Sequence, residues 1–197
     1  MEKTVYFRAL EPEDVTLIHQ WKNSDELNEM TVGLNKKTTL EDDLQWINSI
    51  KDHHPYYAYW AICSRENDKL IGYASLVNIH YINSSAETGA IMIADSDYND
   101  GIAWLESVLF LFEYAFECLG LNRVYGKSLM GHKMSNKIGP LFFMQVEGIL
   151  RQAAFKNGKS YDLQYVGILK DEYFAHKKAG DYELFKLIRR LRIMRKK

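Results

Sequence analysis

Apolar and polar residues alternate from Val5 to Leu10 and the pattern stops at Glu11-Pro12, which predicts a short strand followed by a helix with proline in its first turn. Val15, Ile18 and Trp21 then recur at spacing three, with Leu17 beside them, over residues 12–23, the stripe of an amphipathic helix. Residues 23–37 are polar and irregular. Thr38 or Thr39 followed by Glu41, Asp42 and Asp43 reads as a helix start, where acidic side chains complement the macrodipole, and Leu40, Leu44, Ile47 and Ile50 continue that helix. Residues 56–63 and 70–82 are aromatic and β-branched around a polar turn, which predicts a hairpin. A third strand covers 86–94 and residues 95–100 break it. Residues 101–119 are apolar on most faces and stop at Gly120, so this helix must lie in the core. A strand at 122–130, a short helix at 135–144 interrupted by Gly139-Pro140, and a hairpin of 145–157 and 160–169 turning at Asn157-Gly158 complete the order. At 181–197, Leu184, Leu187, Ile188 and Leu191 form one stripe among Lys186, Arg189, Arg190, Arg192, Arg195, Lys196 and Lys197; the stripe can dock on the domain or on a second subunit.

This succession is a mixed α/β order in one domain, as a length of 197 residues also suggests. With 47% hydrophobic and 26% charged residues, the chain is too apolar for disorder and too interrupted by charge for a membrane span. A formal net charge of −1 provides no field to gather nucleic acid or an anionic membrane, leaving a small molecule as the default partner. The basic tail lacks interleaved aromatics and reads as a solvated helix face. The N-terminal segment has no apolar run of about 7–15 residues, so a cytoplasmic protein is expected. Cys63 and Cys118 lie in apolar segments and are expected in the core, without a disulfide. His53 and His54 are adjacent rather than four apart, and no metal site is expected.

The chemistry concentrates in the strand 86–94, the loop after it, and the helix that opens at Gly101. A loop entering a helix exposes unpaired N–H groups at the positive end of a macrodipole, a place for pyrophosphate. Gly101 and Ala103 permit close backbone approach there, although an ordinary helix start also tolerates both. The opening VYFRALEPEDVTLIHQW, the segment AETGAIMI at 86–93, LNRVY at 121–125 and EGILRQ at 147–152 follow one another in an order and spacing that resemble the GNAT superfamily of acetyl-CoA-dependent N-acetyltransferases. The similar branch is that of the ribosomal-protein alanine, spermidine and amino-sugar acetyltransferases.

The resemblance implies a central, mostly antiparallel twisted sheet of six to seven strands with splayed middle strands, about four flanking helices and an added C-terminal basic helix. It implies an acetyltransferase domain over 1–170 and a tail over 171–197, acetyl-CoA as co-substrate and an amine acceptor, and it is compatible with a homodimer. Pyrophosphate contacts fall on Tyr98, Asn99, Asp100, Gly101, Ile102 and Ala103, with Tyr98 at the usual basic or amide position. The pantetheine arm falls on main-chain groups of Ile91, Met92 and Ile93 and on His132, which stands where asparagine is usual; Ser135 and Lys137 flank it, and Lys133 could meet the phosphates. Glu87 is the candidate base. Gly139 stands where a proton-donating tyrosine is usual, which leaves His132, Tyr125 and Tyr165 as substitutes, and Phe143-Met144 stands at a usual Gly-Phe. The acceptor pocket would be formed by the first two helices, their loop NEMTVGLNKK, the final hairpin, and His53, His54, Tyr56 and Tyr57. The amine would be an amino sugar, a polyamine or a protein N-terminus; the competing reading is an acyl-CoA-binding protein with little turnover.

Overall fold

In the computed structural model, which describes residues 2–29, 31–32, 37–51, 54–132 and 135–195, the period-two segments form one seven-stranded sheet. The strands are β1 (Val5–Ala9), β2 (Ala58–Ser64), β3 (Leu70–His80), β4 (Ser85–Ile93), β5 (Arg123–Leu129), β6 (Gln145–Lys156) and β7 (Lys159–Leu169), in the spatial order β1-β2-β3-β4-β5-β7-β6. Every neighbouring pair is antiparallel except β4 and β5. Because side chains alternate across a strand, Ala61 and Cys63 enter one hydrophobic cluster while Ile62 enters the other.

On one face lie α1 (Val15–Lys22) and α3 (Leu40–Lys51), with the four-residue α2 (Asp25–Asn28) between them. Ile18 and Ile47 are fully buried against Ala61, Leu70 and Tyr73. Asp43 has a larger role than a solvated charge at a helix start. It is fully buried and its carboxylate takes Lys22 Nζ at 2.8 Å, His19 Nδ1 at 2.8 Å and Thr38 Oγ1 at 2.7 Å. Burial alone would raise its pKa, but these three donors outweigh burial and hold it below the ordinary carboxylate value.

The other face carries α4 (Ile102–Glu113), α5 (Ile138–Phe142), α6 (Lys170–Lys178) and α7 (Leu184–Arg195). As expected for an apolar helix, α4 buries Ala103, Leu105, Val108, Leu111 and Phe112 almost completely. It is shorter than 101–119, however: residues Tyr114–Cys118 form a wider π turn, which sets Phe116 in a stack on Tyr173, with ring centroids 4.7 Å apart. In the same turn Glu117 accepts from Lys177 Nζ at 2.6 Å and from the Tyr173 hydroxyl. Cys118 is exposed at the end of that turn, contrary to the core position expected for it; Cys63 is buried.

α2 and α6 are absent from the sequence reading because neither has an apolar stripe. α2 buries no residue and α6 buries only Tyr173. The stripe of α7 docks on the domain itself: Leu187, Ile188 and Leu191 join the cluster around α4. Lys196 and Lys197 lie outside the described residues. Phe143 follows α5 at φ +60°, a left-handed conformation that favours glycine. Its ring is held between His176, stacked at 3.8 Å, and the Arg190 guanidinium at 4.7 Å, which offsets a backbone cost of about 1–2 kcal/mol. Among the described residues no helix is long and apolar enough to cross a membrane.

Candidate active site

β4 and β5 pair through three residues on each strand, Ser85 with Arg123 to Glu87 with Tyr125. The next residues form the last close contact. A Cβ on Gly126 would lie 2.6 Å from Thr88 Oγ1, and Thr88 Oγ1 donates to the Tyr125 carbonyl at 3.3 Å. Beyond this point the strands part, and a cavity of about 490 Å³ opens between them. Its walls are Glu87–Ile93 of β4, Lys127 and Ser128 of β5, His132 and Ser135 of the following loop, and the start of α4. Leu27, Thr31 and Val32 reach its other end.

Glu87 stands where the gap begins, with 5% of its surface exposed. Its Oε2 accepts from Asn78 Nδ2 at 2.8 Å and its Oε1 meets Lys127 Nζ at 2.9 Å. Burial pulls the Lys127 ammonium down, yet the Glu87 carboxylate outweighs burial and raises its pKa above the ordinary lysine value. Lys127 therefore carries its charge at neutral pH, against the Glu87 carboxylate. Across the cavity, His132 Nδ1 lies 3.1 Å from the Ser135 backbone N–H, which donates to it. Burial lowers the pKa of this imidazole, so it is neutral at pH 7, and accepting at Nδ1 puts its proton on Nε2.

Of the residues to which the resemblance assigns cofactor contacts, Ile91, Met92, Ile93, Tyr98, Asn99, Gly101, His132 and Ser135 line the cavity, and Asp100, Ile102, Ala103 and Lys137 do not. Ala103 is buried in the core. Tyr98 directs its hydroxyl to Ser64 Oγ at 2.9 Å, tying the loop to β2. Asp100 Oδ1 accepts from the Ile102 N–H at 2.8 Å and so occupies a donor at the start of α4. Gly139 is buried, and a Cβ on it would meet the Met144 carbonyl at 3.2 Å. Of the three substitute acids only His132 reaches the cavity wall; Tyr125 and Tyr165 do not. Lys133 and His53 lie outside the described residues, as do Met30 and residues 33–36 of the acceptor loop. His54 stacks on Tyr57 at 3.6 Å, Tyr57 meets Tyr59 edge-on, and it is Tyr59 that reaches the cavity.

Sequence reasoning missed Lys127, Asn78 and Arg195. A lysine in the middle of a strand, two residues beyond the partner of Glu87, is the signal that identifies Lys127. The Lys156 ammonium is a further unanticipated feature. Buried at the tip of β6, it donates to the carbonyls of Asn28 and Thr31, the latter at 2.8 Å, and fastens the closing hairpin to the segment that ends the cavity.

Residues 4–139 match the acetyltransferase (GNAT) domain family. The chain belongs to the GNAT acetyltransferases. It is 30% identical to the uncharacterized N-acetyltransferase YoaA of Bacillus subtilis over 56% of this chain and 62% of that protein. With the putative ribosomal N-acetyltransferase YdaF of the same organism it shares 34% identity, over 55% of this chain and 58% of that one. The chain thus spans less than two thirds of either relative. A crystal structure of spermidine N-acetyltransferase from Vibrio cholerae, in complex with CoA and spermine, has the same fold: TM-score 0.78, 24% identity, 88% of this chain and 99% of that chain covered. Both the open, mostly antiparallel sheet and the branch of the GNAT family inferred from the four sequence blocks are borne out.

Proposed function

We propose that this chain transfers an acetyl group from acetyl-CoA to a primary amine while both are bound. The observation that carries the reading is the gap between β4 and β5, which has the buried Glu87 carboxylate at one end and the start of α4 at the other. The residues present fit the thioester: the inner edge of β4 from Thr88 to Ile93 has no strand partner on the β5 side, and Gly101 at the helix start lines the same cavity. Met92 and its neighbours would hold the pantetheine arm through backbone groups, with His132 Nε2–H as a donor from the opposite wall. When bound, acetyl-CoA supplies an activated acyl group.

The protein must deliver the acceptor as a neutral amine. Glu87 serves as the proton acceptor, directly or through a water, with Lys127 and Asn78 holding its carboxylate in place. A backbone N–H near Met92 is the donor for the carbonyl oxygen. His132, neutral and protonated on Nε2, offers a hydrogen bond rather than a proton to the leaving sulfur. Since a thiol has an ordinary pKa near 8.5, departure as thiolate does not require the side chain that Gly139 lacks. Gly139 also motivates a second reading, an acyl-CoA-binding protein with little turnover.

The charges bear on the acceptor. Among the described lining residues Glu87 is the single carboxylate, and Lys127 already neutralises it. A polyamine needs several acidic partners, so an amino sugar or a protein N-terminus suits the cavity better. Titration with acetyl-CoA followed by a free-thiol assay over amino sugars, polyamines and peptides is the test. Thiol release with a monoamine is expected. Absence of binding at millimolar acetyl-CoA refutes the reading, binding without release across the panel favours the second one, and a preference for polyamines overturns the acceptor assignment.

A further inference from the structure

The last turn of α7 lies over the phosphate end of the cavity. A methyl group on Gly101 would come within 2.8 Å of both Arg195 Nη2 and Leu191 Cδ2, so the guanidinium is seated against the entry to α4. Arg195 lines the cavity beside Asn99 and Gly101. Leu191, one turn earlier, is 2% exposed in the core and anchors this end of the helix.

The position is electrostatically unusual. The first N–H groups of a helix carry partial positive charge, and a cation placed against them is repelled unless an anion lies between. No carboxylate among the described residues pairs with Arg195. Asp100, the nearest acid in the loop, turns Oδ1 to the Ile102 N–H instead. The loop contributes no cation of its own, and the hydroxyl of Tyr98 is committed to Ser64. A guanidinium and a helix start that face the same open space favour an anion with oxygens on two sides, the geometry of a phosphate diester or pyrophosphate.

We propose that Arg195, carried on α7, is the side-chain cation that binds the pyrophosphate of CoA, so that the C-terminal helix forms one wall of the nucleotide site. The assignment rests on the acetyl-CoA reading above.

Calorimetric titration of the full chain and its Arg195→Gln, Arg195→Lys and Arg192→Gln variants with CoA, 3′-dephospho-CoA and pantetheine tests it. Arg195→Gln is expected to weaken CoA and 3′-dephospho-CoA alike by roughly tenfold, as for a charge-assisted contact, and to leave pantetheine unchanged. Affinity of the variant for CoA should also depend less on salt. Arg195→Lys should retain most of the affinity, and Arg192→Gln, an exposed change on the same helix that does not touch the cavity, should behave as the parent. Thermal melts show whether each variant is folded. Parent-like or tighter CoA binding by Arg195→Gln overturns the proposal, the tighter case showing α7 to be an obstruction. A loss confined to CoA places the arginine on the 3′-phosphate and also overturns it, as does an equal loss for pantetheine. Failure of the parent chain to bind CoA is a different result and refutes the underlying reading.

Discussion

Lys127→Met, alone and combined with Glu87→Gln, tests whether the two charges in the gap form a working pair. Their atoms are 2.9 Å apart, with the Glu87 side chain 6% exposed and that of Lys127 31%. At an effective dielectric constant of about 20, two unit charges at this separation attract by ~6 kcal/mol before desolvation. Removing Glu87 from water costs much of that, and solvent at Lys127 screens more, so a coupling of about 1–3 kcal/mol remains. Lys127→Met leaves the buried carboxylate with the Asn78 amide as a donor at 2.8 Å and should cost ~2 kcal/mol, or about 4–8 °C in Tm for a chain of this size. Adding Glu87→Gln removes the stranded charge, so the double variant should lose less than the sum of the singles. Urea unfolding followed by tryptophan fluorescence measures the cycle. Additive losses within about 0.3–0.5 kcal/mol would refute the pair.

Three other substitutions probe the surrounding structure. Gly101→Ala places a Cβ at φ +87° and against Arg195 and Leu191; a loss of about 1–3 kcal/mol is expected by calorimetry, and an unchanged Tm would show that α7 does not press on this residue. Phe143→Gly relieves a left-handed backbone but removes the ring between His176 and Arg190; a net loss of about 1–2 kcal/mol is expected, whereas a more stable variant would mean that the ring contacts do not compensate. Asp43→Asn should cost about 3 kcal/mol at pH 7 by stranding Lys22. Since the folded pKa of Asp43 is lowered, its contribution is complete above the unfolded value near 4 and is lost as pH falls through the folded value. Stability of the parent and of Asp43→Asn should therefore converge in acid; parallel pH curves would contradict this account.

Much of the sheet was legible because its strands obey the period-two rule, and α4 because an apolar surface on most faces has nowhere to go but inward. α2 and α6 were not, since four residues with no buried face and a helix with one buried tyrosine leave no periodic trace. At the site, the β4 residues and Gly101 could be placed from the segment that precedes a helix start. The residues that escaped are brought there by tertiary folding. Lys127 comes from a strand distant in sequence, and Arg195 from a tail whose basic residues are indistinguishable from one another until Leu191 fixes the face on which the helix docks. Asp43 shows the converse: its position at a helix start was visible, but its burial depends on His19 and Lys22 from another helix.

The brief pairing between β4 and β5 has a mechanical consequence. The sheet is in effect two panels, β1 to β4 and β5 with β7 and β6, sewn together by three residue pairs. A molecule seated in the gap touches both panels, so by mass action it opposes their separation as well as their unfolding. Amide exchange along β4 and β5 should then slow together when the gap is filled, and the substrate slot doubles as a seam between the two panels.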